Sequence, residues 1–165
     1  MAKVKLTKNE LKNQRMALQR YERFLPTLQL KKQQLQIEAR KIRRRYEELE
    51  EQQQTCEQEV EKWVALLDAD RKAELRELIH VTSLELGTKN IAGLDTPMFQ
   101  ELTFQEIEYD LFSTPVWFDE ALRSLKSLIS ARMEKRIVGE QRELVENELR
   151  ITTQRVNLFE KVKIP

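Results

Sequence analysis

The stretch LQLKKQQLQIEARKIRRRYEELE, residues 28–50, sets Leu28, Leu35, Ile42 and Leu49 seven residues apart in a run that is otherwise almost all charge and amide. A line that narrow is too thin to bury a helix in a globule, and a period of seven is that of a coiled-coil seam. Extending the same frame gives Leu11, Leu18, Leu25, Lys32, Ala39, Tyr46, Gln53 and Val60 on the companion positions, with Tyr21, Cys56 and Trp63 continuing the first. Between Thr7 and Leu67 there is no glycine and a single proline. About 60 residues at the helical rise of 1.5 Å make a rod of roughly 90 Å. Thr7 or Asn9 is suited to cap it, with Glu10 in the first turn. Pro26 removes a backbone donor and predicts a kink near residues 22–26. Leu25 and Leu28 flank it in phase, which favours a kinked continuous rod over two helices. Lys32 and Gln53 interrupt the seam, as polar residues that fix register do.

A second seam opens after Pro115. Ile137, Leu144, Ile151 and Leu158 recur at seven, and Val138, Val145, Leu149, Val156 and Phe159 broaden the stripe. That stripe is wider than one antiparallel partner requires, so another protein or further chain is expected on it. Between the rods the pattern changes. Residues 68–79 read as a short helix. Leu84 and Leu86, and then Leu102 and Phe104, alternate with polar residues around Gly87, Gly93 and Pro97, which reads as a small β-hairpin leaning on a helix end. The expected fold is mainly α: a long antiparallel two-helix coiled coil with a short-helix and β-hairpin connector at one end. The boundaries are 1–67, 68–116 and 117–165. If residue 67 lies opposite about residue 118, paired numbers add to about 185. Residues before about 20 then overhang Pro165.

The 165 residues are 35 % charged and 7 % aromatic, with a net charge of +1. High but balanced charge and three glycines favour long helix over globule and single out no polyanionic or membrane partner. One cysteine, no apolar signal core and no membrane-length apolar run predict a soluble, intracellular chain. Charge is segregated. Residues 1–46 carry 14 Lys/Arg against Glu10, Glu22 and Glu38, whereas residues 47–61 carry seven glutamates and no base.

No catalytic, cofactor or metal constellation emerges. His80 stands alone, and Cys56 occupies a seam position without activating neighbours. Asp68, Asp70 and Glu74 lack a calcium-loop glycine, and no phosphate-binding glycine motif is present. The run RKIRRR (Arg40, Lys41, Arg43, Arg44, Arg45) has the charge for phosphate contacts but no interleaved aromatics, and glutamates follow at once. A solvated or partner-facing helix is the favoured reading, with a nucleic-acid-binding coiled coil or a generic homodimeric scaffold as alternatives. Trp63, Trp117 and Phe118 are placed to pack the connector end of the hairpin of helices.

Several segments resemble the D subunits of the V-type (archaeal/vacuolar-type) ATP synthases and ATPases. LTKNELKNQRMALQRY is similar to the family's opening, with Leu6 where proline is usual. LPTLQLKKQQL, KNIAGLDTPMF and ITTQRVNLFEKVKIP resemble three further family segments. The last is the most specific and covers Thr152, Arg155, Val156, Asn157, Glu160, Ile164 and Pro165. Family members continue for several tens of residues past the Ile-Pro pair, so a longer natural chain or a shortened one is expected. The resemblance implies a non-catalytic central-stalk rotor shaft without nucleotide, cofactor or metal. Its chain ends would enter a hexamer of A and B subunits, and its connector end would meet the F and C subunits (the latter called d in eukaryotes). It would lie peripherally on the cytoplasmic side of the membrane, bind no nucleic acid and insert no segment into the bilayer. The coupling ion, proton or sodium, and the direction of ATP chemistry stay open.

Overall fold

A computed structural model of the chain describes residues 7–65, 75–105, 107 and 114–165. Helix α1 (Lys8–Val64) runs 57 residues and passes through Pro26 without a break. Thr7 caps it in the extended conformation: its hydroxyl accepts the Glu10 amide at 3.3 Å and its carbonyl accepts the Leu11 amide at 3.0 Å. Thr7 and Glu10 stand in capping-box spacing. Strands β1 (Val81–Ile91) and β2 (Leu94–Phe104) form a two-stranded antiparallel sheet. Helix α2 (Phe118–Leu158) follows and ends in a π-helical turn over Phe159–Lys163. The Pro115 carbonyl accepts the Phe118 amide at 3.0 Å, so the proline sets up the turn that launches α2, and Asp119 and Glu120 sit at its positive end. Of the predicted short helix, residues 75–78 are helical, while 68–74 lie outside the described residues.

The two long helices pack antiparallel, as their seams require. Glu50 pairs with Lys135, Cys56 faces Ser127, and Trp63 stacks on Trp117, which is the alignment expected from the pairing of residue numbers. Leu35, Ala39, Ile42 and Leu49 of α1 meet Val138 and Val145 of α2 in one continuous core, with Tyr46 and Leu149 at its margin. Full burial of a leucine contributes about 2 kcal/mol, so Leu35 and Leu49 are strong individual anchors of the coil. At the connector end Phe118 is fully buried against Leu75 and Leu122, and Trp117 lies between Phe118 and Trp63.

The hairpin does not stop at the helix ends. It folds back along the flank of the coil, and its tip reaches the core mid-way. Ile91 is buried among the residues of that core, with Ala92 and Leu94 beside it. The tip covers part of the broad stripe of α2, at Val138, Val145 and Leu149, while Leu144 and Leu158 stay exposed. A two-stranded sheet is marginal alone, and here one face of its tip borrows a helix pair as its core. The two-residue loop Ala92-Gly93 has φ of 51° and 83°, the primed turn class that matches strand twist. Asn90 steadies it: its side-chain carbonyl accepts the Gly93 amide at 3.1 Å and its amide donates to Asp95 at 2.6 Å. Below the tip, buried Thr96 donates its hydroxyl to the Lys89 carbonyl at 2.9 Å and accepts from the buried Gln141 amide at 3.1 Å. The only glutamine buried in α2 among the described residues is thus satisfied by the hairpin, and it fixes where the hairpin docks.

Candidate interaction surface

The charge segregation of α1 has a structural counterpart on α2. Basic α1 residues reach acidic α2 residues: Lys31 to Glu148 at 2.7 Å, Arg43 to Glu146 at 3.0 Å, and Arg45 to Glu134 at 2.6 Å. Further along, the sense reverses, with Glu50 to Lys135 at 2.9 Å and Glu57 to Arg132 at 2.8 Å. Lys31–Glu148 is part-buried and the other four are exposed, and an exposed pair contributes at most about 1 kcal/mol. Together they penalise a parallel or slipped pairing, because a slide sets like charges opposite each other. The Glu134 carboxylate beside Arg45 holds that guanidinium above its ordinary value. Hydrogen bonds from Arg132 and then Gln53 hold Glu57 below 4.5, and the Lys41 hydrogen bond, with Lys89 behind it, does the same for Glu38. Glu38 is 3.7 Å from Lys89 of β1, so one carboxylate links α1 to the hairpin.

The predicted seam residues of α1 fall into two groups. Leu35, Ile42 and Leu49 lie in the core, Leu18, Leu25 and Leu28 are half-buried, and Leu11 is exposed. On α2, Ile137 is buried and Ile151 half-buried, whereas Leu144 and Leu158 are exposed. The line facing α1 runs one residue further on, through Val138, Val145 and Thr152. Of the family-motif residues, Thr152 and Val156 are buried in the helix pair, and Glu160 accepts a hydrogen bond from Gln29. Ile164 is half-buried, while Arg155, Asn157 and Pro165 are exposed.

Two open clefts flank the core on α1. A groove of about 740 Å³ runs between α1 and α2 over Glu48, Cys56, Ser127, Ser130 and Glu134, where small residues leave the seam shallow. A cleft of about 430 Å³ lies between α1 and the hairpin tip, over Ile37, Glu38, Lys41 and Ile91. Both are surface grooves without a converging set of catalytic groups. His80 is exposed just before β1, and its carbonyl accepts the Gln105 amide at 2.8 Å. The Cys56 sulfur lies 3.6 Å from the Ser127 hydroxyl. Among the described residues no three His, Cys, Asp or Glu side chains gather to hold a metal, and no helix is long and apolar enough to cross a membrane. Asp68, Asp70 and Glu74 lie outside the described residues.

The family model for the ATP synthase D subunit matches residues 10–165, which includes both helices' packed lengths and the hairpin between them. The chain belongs to the D-subunit family of V-type ATP synthases. It is 42 % identical to the V-type ATP synthase D subunit of Borreliella burgdorferi over 165 residues, covering 100 % of this chain and 81 % of that protein. It is 31 % identical to the Chlamydia pneumoniae D subunit over 163 residues, covering 98 % and 78 %. The D subunit of Chlamydia trachomatis serovar L2 is 32 % identical over 165 residues, covering 99 % and 81 %. As a D subunit, the chain is a component of a V-type ATPase complex. The cross-coil ion pairs and the Thr96–Gln141 contact escaped sequence reading. The former were signalled by the mirrored charge runs of residues 132–148.

Proposed function

We propose that this D subunit is the non-catalytic shaft of the central stalk, carrying torque between an A/B hexamer that handles ATP and the ion-translocating membrane sector. The F and C (d) subunits are its partners near the connector end. It sits peripherally on the cytoplasmic side, without inserting into the bilayer. The observation that carries this reading is the coil itself: two long antiparallel helices, registered by opposite-sense ion pairs and clamped mid-way by a docked hairpin. A torque-bearing rod must resist twisting and sliding of its strands, and each of these features opposes one of those motions. Two helices and a hairpin have no three-fold symmetry, so three catalytic interfaces around them meet different faces. Rotation then biases each between open and closed states by differential contact energy.

The seam of α1 is filled by α2 of the same chain, which leaves a homodimeric scaffold no seam over residues 35–49. Lys41, Arg43 and Arg45 are engaged by Glu38, Glu146 and Glu134, which weakens a nucleic-acid reading of the basic run. The test is reconstitution of the chain with the A, B and F subunits from the same cell. A one-to-one complex with the F subunit and a chain-dependent, coupled ATPase are expected. Full coupled turnover by a head lacking this chain refutes the proposal.

A further inference from the structure

The basic run RKIRRR divides into two sets by ionic partner. Arg43 and Arg45 reach across to Glu146 and Glu134 of α2, and Lys41 turns to Glu38. Arg40 and Arg44 have no ionic partner among the described residues. They stand one helical turn apart. On the same side, away from the seam, Leu30 is 56 % exposed and Ile37 54 % exposed. Leu30, Ile37 and Arg44 recur at seven, as the seam does, but on the opposite face of α1. A depression of about 350 Å³ lies there, lined by Ile37, Arg40, Lys41, Arg44, Arg45 and Glu48.

We propose that this outer face of α1, from Leu30 to Arg44, is a docking surface for an acidic amphipathic helix of a partner protein. Two carboxylates one turn apart on that helix meet Arg40 and Arg44, and its apolar side chains cover Ile37 and Leu30. The choice of occupant rests on charge and shape. The molecule itself displays the mode of recognition, since the neighbouring arginines already take single carboxylates from a helix laid alongside. Carboxylates repeated at four residues lie about 6 Å apart along their own axis, which matches the rise between Arg40 and Arg44. Two exposed apolar side chains, Leu30 and Ile37, precede the arginines on this face, and Ile37 lines the depression with them, so an apolar side chain of the partner has a seat beside its carboxylates. The identity of the probes below rests on the shaft reading.

The full chain is titrated separately with purified A/B hexamer and with purified F subunit, at two salt concentrations. The double variant Arg40→Glu/Arg44→Glu is expected to keep the wild-type melting temperature. It should lose about tenfold or more in affinity for one of the two partners, with the wild-type binding weakening in salt. Ile37→Ser should weaken the same interaction. Arg43→Glu/Arg45→Glu, which strikes the coil, should lower the melting temperature instead. Wild-type and Arg40→Glu/Arg44→Glu chains binding both partners equally overturns this inference and leaves the shaft reading intact. Failure of the wild-type chain to bind either partner overturns both. Binding of duplex DNA or polyphosphate that vanishes in Arg40→Glu/Arg44→Glu, or a chain dimer that the variant dissolves, reassigns the face and overturns it as well.

Discussion

Replacing Ile91 by alanine tests whether the hairpin is part of the shaft or an ornament on it. Ile91 is 3 % exposed and packs among Leu35, Ala39, Ile42, Val138 and Val145, so its side chain joins all three layers. Alanine deletes three carbons. At about 0.8 kcal/mol for each, transfer alone amounts to roughly 2.4 kcal/mol. The cavity left in a core that helix backbones hold open raises the expected loss to about 3–4 kcal/mol. Leu86→Ala is the matched control, since Leu86 lies on β1 and is 49 % exposed, and it should cost about 0.5 kcal/mol or less. Denaturant unfolding followed by helical circular dichroism measures both. Amide exchange over residues 88–97 should rise strongly in Ile91→Ala and little in Leu86→Ala. Equal and small losses in both variants would mean that the tip is not docked on the coil, and a rod clamped by its hairpin would be refuted.

Three further outcomes are expected. Glu134→Arg should destabilise the coil by repulsion from Arg45, and adding Arg45→Glu should recover a coupling of a few tenths to about 1 kcal/mol, read from a double-mutant cycle. Glu38 and Glu57 are held below the carboxylate value of 4.5, so each favours the folded state above that pH, and their contribution should drain away as pH falls through their folded values. Glu38→Gln should flatten that acid limb in a pH series of melting temperatures. Ala92, at φ 51°, pays for a left-handed backbone, so Ala92→Asn, giving the Asn-Gly pair this turn class prefers, should stabilise by about 0.5–1 kcal/mol, seen as a higher denaturant midpoint with unchanged slope.

The α1 half of the coil was legible because its seam is sparse. Leu35, Ile42 and Leu49 are the main apolar residues of their stretch, so periodicity and burial coincide. The α2 half was harder for a physical reason. Its helix serves two partners, α1 and the hairpin, so apolar residues spread over two faces and blur the period. Its actual contact line also includes Thr152 and Gln141, which hydropathy reads as surface. That is why Leu144 and Leu158 stood out in the sequence and are exposed in the structure. The antiparallel alignment was readable from chain length and the two punctuated ends. The path of the hairpin was not, because it depends on a glutamine and a threonine 45 positions apart finding each other. Arg40 and Arg44 stood out only once Arg43 and Arg45 had their partners.

The most direct test of the shaft is to lock its two helices together and ask whether it still turns. Cys56 lies 3.6 Å from the Ser127 hydroxyl, so Ser127→Cys places two thiols side by side across the coil. With the disulfide formed, ATP-driven rotation of the chain within an immobilised A/B hexamer should continue at the reduced protein's rate and torque, because the two helices move as one body. Rotation that stalls on oxidation and resumes on reduction would show that the helices must move past each other, and the rigid-shaft account would be wrong.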